Sequence, residues 1–431
     1  MISLIKTINM KSGILRSILI VASGTAGAQL LTFVFIPFVA RIFGPEAYGQ
    51  LGSFSAVLAI LSPIAALCLP IAIVLPESDG EAYSILRTSL FCGALFSAGI
   101  LIILIFFSSF ISSALGLEVI SEYLLFIPLA MFLSVIMAVA MQWIIRKKKF
   151  EIKAKVDIYQ SLLVNISKLG GGLIYGSGSV LIAIVSLAGA TYGVSAFHRL
   201  SKSGDFEIKA FSPQRDDYIG IFKKYSDFWK YRAPQALLNG ASQGVPVIIL
   251  AKYFGSTVAG FYAIARLALG MPSMLIGSSV SDVFYPNFIE KIRSGGNGRA
   301  ILLQTSKYLL LLSIIPYGLI IAFGPWLFTL VFGAEWGQAG EYARWMALWL
   351  TSFLIARPAV AAIPVLRLQR FFLLFEIVSF LAKISVMYVF IVLKHDALIS
   401  IAAFSVVSVA TYFFLIMVVL KKSNVGSEFS Y

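Results

Sequence analysis

Six stretches of this 431-residue chain contain no Asp, Glu, Lys or Arg, and each is long enough to cross a lipid bilayer as a helix. A spanning helix needs about 20 mostly apolar residues, because it must satisfy its own backbone hydrogen bonds where no water is present. With 59% hydrophobic and 13% charged residues, the chain lies outside the composition of water-soluble domains. We therefore predict an all-α, polytopic membrane protein. The six stretches are Ser17–Ala40, Thr88–Leu117, Tyr123–Ile145, Leu169–Phe197, Tyr308–Ala334 and Ala397–Leu420.

The alternation of apolar runs and polar interruptions predicts twelve transmembrane helices in two sets of six. We expect an N-terminal lobe at 1–200, a cytoplasmic inter-lobe loop at 201–217 and a C-terminal lobe at 218–431. The first set of helices is 14–39, 49–75, 85–110, 123–145, 156–175 and 180–197, and the second is 219–253, 258–288, 301–323, 338–366, 371–393 and 397–420.

A short polar motif occurs twice, between apolar runs in each half of the chain. Residues 40–49 and 251–260 share the pattern Ala-basic-x-Phe-Gly, with a second Gly at the last position, at an offset of 211 residues (251 minus 40). We expect Gly44 and Gly255 to take the left-handed conformation that ends many helices. An offset of about half the chain indicates duplication of a multi-helix unit.

Lys and Arg are unevenly distributed between the predicted loops. Of the 34 Lys and Arg residues, the loops on one side hold only Arg41, Lys252 and Lys394. The positive-inside rule therefore predicts that both termini are cytoplasmic, and it explains most of the formal charge of +14 as topology. We interpret the basic run at 146–150 in the same way, in preference to a nucleic-acid site or a specific lipid patch, and we expect no nucleic-acid partner.

Cations outnumber acids inside the predicted spans. A charge near the bilayer centre costs roughly 2.5 to 3.5 kcal/mol, so such residues usually face a partner or a cavity. The excess of cations predicts a central cavity that suits an anion. The candidate ligand-binding cations are Lys168, Arg266, Arg357 and Lys383.

Polar and acidic side chains add to this predicted cavity. Amides recur at helical spacing along single faces, which predicts a polar lining, although helix packing through polar residues is the alternative. Glu376 lies seven residues before Lys383, and either ion coupling or a structural ion pair explains that spacing. Asp282 and Glu376 are the candidate coupling residues. The predicted polar lining consists of Gln29, Asn165, Gln235, Asn239 and Gln243.

Features typical of enzymes and of metal or nucleotide sites are not found in the sequence. There is no phosphate-binding GxxxxGK[ST] motif, and no connecting segment is long enough for a soluble catalytic domain. Cys68 and Cys92 lie in apolar runs without metal-type spacing. We expect a protein that is not an enzyme, with no catalytic residue, metal or cofactor.

Four segments carry a family resemblance. The chain is similar to bacterial polysaccharide flippases of the Wzx type, in the multidrug/oligosaccharidyl-lipid/polysaccharide exporter superfamily. The similar segments are PFVARIFGPEAYGQLGSFSAV at 37–57, YRAPQALLNGASQGVPVIILAKYFG at 231–255, VAGFYAIARLALGMPSMLIGSSVSDVFYP at 258–286 and LVFGAEWGQAGEYARWMAL at 330–348.

The resemblance implies a V-shaped bundle of two pseudo-symmetric six-helix lobes in the bacterial inner membrane. It also implies transport of undecaprenyl-diphosphate-linked oligosaccharides from the inner to the outer leaflet by alternating access, for O-antigen, capsule or exopolysaccharide assembly. Membrane lipids, a polysaccharide polymerase and chain-length machinery are the expected partners. The cationic residues would then hold the diphosphate. Either the membrane potential or proton or sodium antiport would drive transport.

Three other functions are weighed against this one. A drug or cation antiporter of the same superfamily is expected to have an acidic binding lobe, whereas these spans are rich in cations. A peptidoglycan-precursor flippase typically carries two more helices. A membrane glycan polymerase usually needs a large outer loop with catalytic residues, and the predicted outer loops here are short.

Overall fold

The computed structural model describes residues 13–207, 217–293 and 298–423, and all regular secondary structure in these ranges is helical. Three short 3₁₀ helices (Leu69–Val74, Glu118–Tyr123 and Ala334–Trp336) and a π-helical turn (Phe228–Arg232) connect the α-helices. The α-helices are α1 (Gly13–Ala65), α2 (Asp79–Leu115), α3 (Phe126–Arg146), α4 (Phe150–Ile174), α5 (Gly178–Lys202), α6 (Tyr218–Lys224), α7 (Ala233–Arg293), α8 (Gly298–Phe332), α9 (Gly337–Ile355), α10 (Arg357–Ala362), α11 (Gln369–Lys394) and α12 (Ala397–Lys422).

Nine helical stretches in the described part of the chain are long and apolar enough to cross a membrane. Two of them lie in α1 and α7, and each contains a non-helical glycine that divides the helix into two arms. Helix α4 is not among the nine, since it carries several charged residues, including Lys153 and Asp157. The protein is an all-α, multi-pass membrane protein, and its architecture is consistent with the predicted twelve helices.

Both bends occur at the glycines of the repeated motif. Gly44 has φ 71° and ψ 176°, and Gly255 has φ 84° and ψ 176°. The predicted positive φ is therefore present at both positions, but ψ is extended and does not have the left-handed helical value. This combination is essentially restricted to glycine. Equivalent bends at equivalent positions support the predicted duplication.

A second pair of turns, six predicted helices apart, supports the duplication further. Lys148 follows α3 with φ 54°, and Arg367 follows α10 with φ 53°. In each turn this residue donates its amide to the carbonyl three positions back, at 3.0 Å for Lys148 and 3.2 Å for Arg367. The next amide bonds five positions back, at 3.1 and 3.0 Å respectively, which completes a Schellman motif.

The described residues form two compact units. The first contains the residues up to Phe43 together with Ser53–Gly244, and the second contains Gly44–Gly52 together with the residues from Val245 onwards. The first arm of α1 and the start of α7, up to Gly244, thus belong to the first unit, and the rest of α7 belongs to the second. The predicted division of the chain at 201–217 stays a prediction.

Within the second unit, the two copies of the motif contact each other through backbone atoms. A Cβ added to Gly49 would overlap the carbonyl of Ser256, and one added to Gly260 would overlap the carbonyl of Pro45. Pro45 and Ser256 both directly follow a bend glycine, so the contact is reciprocal, as between copies related by a twofold axis. Only glycine permits so close an approach of these two backbone segments.

The basic run at 146–150 is tied into the first unit. Arg146 forms an ion pair with Asp79 at 2.9 Å and donates hydrogen bonds to carbonyl oxygens of the segment 73–77. Lys149 pairs with Asp205 at 2.8 Å. Because these groups are engaged within the unit, the run has a structural role there.

Aromatic contacts hold the segment after α5 against the same unit. The ring of Phe206 lies 5.4 Å from that of Trp143 and 5.8 Å from that of Tyr83. Nearby, Tyr225 donates a hydrogen bond to Glu81 at 2.9 Å. Burial, and then this carboxylate, raise the pKa of Tyr225 to about 12, so the phenol remains a donor at neutral pH.

We predict that Gly49→Val and Gly260→Val each destabilise the protein strongly. The added side chain meets a backbone carbonyl, which cannot rotate away, so the cost is about 1–3 kcal/mol or more. Thermal unfolding of the purified protein should show a melting temperature lowered by several degrees. Gly99→Val is the matched control, because a Cβ at Gly99 has open space around it. An unchanged melting temperature in both motif variants would contradict the reciprocal contact.

Candidate functional site

The first arm of α7 presents an exposed polar face. Gln235, Asn239 and Gln243 recur every four residues and are all exposed, with Gln243 donating a hydrogen bond to Asn239 at 2.5 Å. The neighbouring face carries Gly240 and Gly244, which pack against the backbone of α1. A Cβ atom added to either glycine would lie only 2.5 or 2.9 Å, respectively, from a carbonyl oxygen of α1. Amide groups exposed along a membrane helix need water or a ligand to bond with. This arm therefore carries an exposed polar face, and a lining role for Gln235, Asn239 and Gln243 stays a prediction.

A ladder of polar side chains joins α1 to α4 in the same unit. Thr32 and Ser161 share a hydrogen bond of 2.9 Å, and the Asn165 amide donates to Thr32 at 3.3 Å and to the Ser161 carbonyl at 2.8 Å. Asn165 is only 4% exposed. The polar side chains of α1 and α4 thus face each other. Asn165 is buried between the two helices and hydrogen-bonded there, as in helix packing through polar residues. Gln29 is half-buried on the same arm of α1, and a lining role for Gln29 and Asn165 stays a prediction.

The structure also shows a buried charged group that sequence reasoning missed. Lys153 was assigned to a cytoplasmic loop, but it lies within α4, is 8% exposed and pairs with Asp157 at 2.5 Å. Asp157 also accepts hydrogen bonds from Thr25 at 3.2 Å and from Tyr192 at 3.1 Å. The sequence signal that could have identified this pair is the spacing of four residues between Lys153 and Asp157, which places both side chains on one face of a helix. Since every charge in this group has a partner, it is suited to holding α1, α4 and α5 together.

Two of the four predicted binding cations, Lys168 and Arg266, lie in different units of the structure. Lys168 lies one turn beyond Asn165 on α4, is half-buried, and has no hydrogen bond or ion pair with another described residue. Arg266 is half-buried on the second arm of α7, in the second unit. The side chain of Asp282 lies outside the described residues.

The other two predicted cations lie together in the second unit. The Arg357 guanidinium lies 4.4 Å from the ring centroid of Phe353, and the Lys383 ammonium lies 4.6 Å from that of Tyr412. The two rings are 5.5 Å apart. Glu376 interacts electrostatically with both Lys383 and Tyr412. We call these five residues the cationic cluster, and its aromatic members were not predicted.

A break in the predicted tenth helix positions Arg357. That helix was predicted as continuous over 338–366, but α9 ends at Ile355 and α10 begins at Arg357, with Pro358 in its first turn. Proline is tolerated in a first turn because the amide there has no helical partner. The Arg357 side chain is thereby presented to Phe353 one turn earlier in the chain.

The cationic cluster carries unmatched positive charge. It contains two cations and one carboxylate. Among the described residues, Glu376 and Lys383 do not form a direct salt bridge. The Nε of Arg357 is buried and has no hydrogen-bond acceptor among the described residues. A buried donor without an acceptor costs about 1–3 kcal/mol, which an anionic ligand would offset.

Potential metal ligands do not cluster in the part of the chain that the structure describes. Within residues 13–207, 217–293 and 298–423, no group of three or more His, Cys, Asp or Glu side chains is placed to hold a metal ion. Cys68 and Cys92 are buried and not bridged.

The arrangement of helices defines a class of membrane transporter fold. A multidrug resistance MATE family transporter of the MOP superfamily, in an inward-facing conformation, superimposes with a TM-score of 0.75 at 15% identity, covering 94% of this chain and 96% of that one. The lipid II flippase MurJ, in an inward closed conformation, gives a TM-score of 0.74 at 15% identity, covering 94% and 89%. At this identity the likeness shows the fold alone.

Sequence similarity identifies the family within that class. Residues 38–341 match the polysaccharide biosynthesis protein family, and the chain belongs to this family. The resemblance predicted from the motifs is thus confirmed. The succinoglycan biosynthesis transport protein ExoT of Rhizobium meliloti (strain 1021) is 25% identical over 349 residues, which are 80% of this chain and 66% of the relative. The chain therefore spans slightly less than two thirds of that relative's length.

We predict that Asp157→Ala strongly destabilises the protein, because it leaves the Lys153 ammonium buried without a counter-ion. Breaking a buried pair from one side costs about 3–5 kcal/mol, whereas replacing both partners by apolar residues is often close to neutral. Thermal unfolding should therefore place the Lys153→Met/Asp157→Leu double variant nearer to wild type than Asp157→Ala. Lys155→Met, at an exposed position on the same helix, is the control. If all variants had the same melting temperature, the Lys153–Asp157 pair would be shown to be solvated.

Proposed function

We propose that this protein is a flippase that moves undecaprenyl-diphosphate-linked oligosaccharide from the inner to the outer leaflet of the bacterial inner membrane. Membership of the polysaccharide biosynthesis protein family supports the polysaccharide pathway. A relative named as a succinoglycan biosynthesis transport protein supports transport as the step. The protein serves O-antigen, capsule or exopolysaccharide assembly beside a polymerase and chain-length machinery, and has no catalytic residue of its own.

The observation that carries the proposal is the unmatched positive charge of the cationic cluster. A diphosphate supplies several acceptor oxygens, which would accept hydrogen bonds from the part-exposed guanidinium of Arg357 and from the ammonium of Lys383. Hydrogen bonds between charged partners are roughly twice as strong as neutral ones. The cation–π contacts hold both side chains in place before the ligand arrives, so little side-chain entropy is lost on binding.

The remaining predicted residues extend this site in the proposal. The exposed amides of Gln235, Asn239 and Gln243 are suited to the hydroxyl groups of a glycan, which both donate and accept hydrogen bonds. Lys168 and Arg266 provide further positive charge for the diphosphate or for acidic sugars. Alternating access would expose these groups to each side of the membrane in turn.

Transport against a gradient needs an energy source. In this proposal both termini are cytoplasmic and the cargo moves from the inner to the outer leaflet. One elementary charge crossing the membrane is worth about 2.3 kcal/mol per 100 mV, and an inside-negative potential favours outward movement of an anionic headgroup. Proton or sodium antiport through Glu376 or Asp282 is the competing source.

An antiporter for cationic drugs shares this fold class but requires the opposite electrostatics. Arg357 and Lys383 would repel a cationic cargo, and Glu376 is the only carboxylate among the five members of the cationic cluster. The charge of the cluster therefore favours an anionic cargo over a cationic one.

We predict that the Arg357→Gln/Lys383→Gln double variant loses transport of lipid-linked oligosaccharide. Each lost hydrogen bond to a charged group is worth about 1.5–3 kcal/mol, so the half-saturating lipid concentration should rise tenfold or more. The measurement uses vesicles with an inside-negative potential and follows exposure of a lipid-diphosphate glycan at the outer leaflet. Arg266→Ala with Lys168→Ala tests the two further cations in the same assay.

Lys394→Gln is the matched control, because Lys394 is an exposed cation at the end of α11, outside the cationic cluster. If both double variants transport as well as the control, the cations are structural and the site assignment is wrong. If wild-type protein instead moves a lipophilic cation and leaves the lipid in place, the antiporter function is correct.

A further inference from the structure

An apolar groove lies on the first unit, and none of the residues discussed for transport lines it. It is formed by α2, α3 and α5 and has a volume of about 680 Å³. Ligand pockets in proteins typically measure about 300–1,000 Å³. None of the predicted cargo-binding, lining or coupling residues lies on these three helices, so the groove is a separate feature of the molecule.

The groove follows one face of α5. Its lining residues on that helix run from Ala190 to Lys202 at steps of three and one, which keeps them on one side. Twelve residues of α-helix extend about 18 Å. Half of a typical hydrocarbon core is about 15 Å thick. The length of the groove along α5 is therefore close to the thickness of a single leaflet.

The two ends of the groove differ in polarity. Leu90, Phe132 and Ile136 line it on α2 and α3. Gly193 lets α5 pack closely against Ile136, since a Cβ atom added to this glycine would lie 2.5 Å from the Ile136 side chain. All of its polar side chains are collected at the last turns of α5, where His198, Ser201 and Lys202 line it.

The polar end is positively charged and has no fixed counter-ion among the described residues. No Asp or Glu is among the described residues that line the groove. Lys202 is the last residue of α5, is exposed, and makes no salt bridge with a described residue. An apolar channel one leaflet deep that ends in an ammonium and a hydroxyl complements an acyl chain attached to a phosphate.

We propose that this groove binds an anionic glycerophospholipid of the leaflet that contains the Lys202 end. One acyl chain lies along Ala190 and Val194, and the phosphate accepts hydrogen bonds from Lys202 and Ser201. The proposal commits to a membrane phospholipid, since the groove has about the length of one leaflet and no member of the cationic cluster lines it. It does not depend on the proposed transport function, which vesicle transport assays test separately.

The test is competition between lipids for the purified full-length protein. Wild type in detergent is mixed with equal amounts of phosphatidylglycerol and phosphatidylcholine with the same acyl chains, and native mass spectrometry counts the lipids retained. We expect phosphatidylglycerol to be preferred. One Lys near an anionic headgroup accounts for about a fivefold preference, which Lys202→Gln should remove. Lys422→Gln, an exposed lysine at the end of α12, should keep it.

A second variant separates the acyl-chain contact from the charge. Ala190→Phe fills the groove and should lower retention of both lipids while the melting temperature stays near that of wild type. Glycerol 3-phosphate, which carries the headgroup chemistry without a chain, should not displace the bound phospholipid. The proposal is overturned if wild type shows no preference, if Lys202→Gln keeps it, if glycerol 3-phosphate displaces the lipid, or if equimolar undecaprenyl phosphate does, because the groove would then serve the cargo.

Discussion

The helical framework depends on a backbone contact that leaves no room for a side chain. Gly49 and Gly260 each lie against a carbonyl of the other copy of the repeated turn. The bends that lead into this contact need positive φ with extended ψ, which Gly44 and Gly255 supply. Four glycines therefore fix where two long helices bend and how closely their turns approach. In a membrane, where association between helices depends on close packing and not on the exclusion of water, such an approach is a main source of cohesion.

Much of this framework could be predicted because its determinants are local. Apolar run length defines the helices, and the offset of 211 residues (255 minus 44) places both bends. The break before α10 could not be predicted in this way. Pro358 fits a helix start and also a kink within a helix, so its local sequence permits both. The choice is made by packing, since Ala356 and Ala359 lie fully buried in a core formed with α7, α8 and α12.

The candidate site was predictable in its charges and not in their partners. Arg357 and Lys383 were identifiable as cations within apolar runs, but the rings beneath them resemble ordinary core aromatics at helical spacing. Lys153 shows the opposite error, because its position between the predicted helices 123–145 and 156–175, just after the basic run, suggested a loop. Its true surroundings depend on Tyr192 and Thr25, which are distant in sequence and reach Asp157 only through the tertiary fold. Hydropathy assigns a residue to the membrane or to a loop and says nothing of which charges are neutralised there.

Two kinds of buried charge are thus present in the described part of the chain. The Lys153–Asp157 pair is closed, since each group already has its partner, and a closed pair cannot take up a ligand without breaking. Arg357 and Lys383 rest on aromatic faces, which stabilise a cation by about 0.5–2 kcal/mol. That is enough to make an empty site tolerable, and less than a phosphate offers. A transporter needs this intermediate state, because it must load its cargo, release it and return empty. Under the proposed function, Glu376 beside the cations would limit the affinity further, so an anion that binds there could also leave.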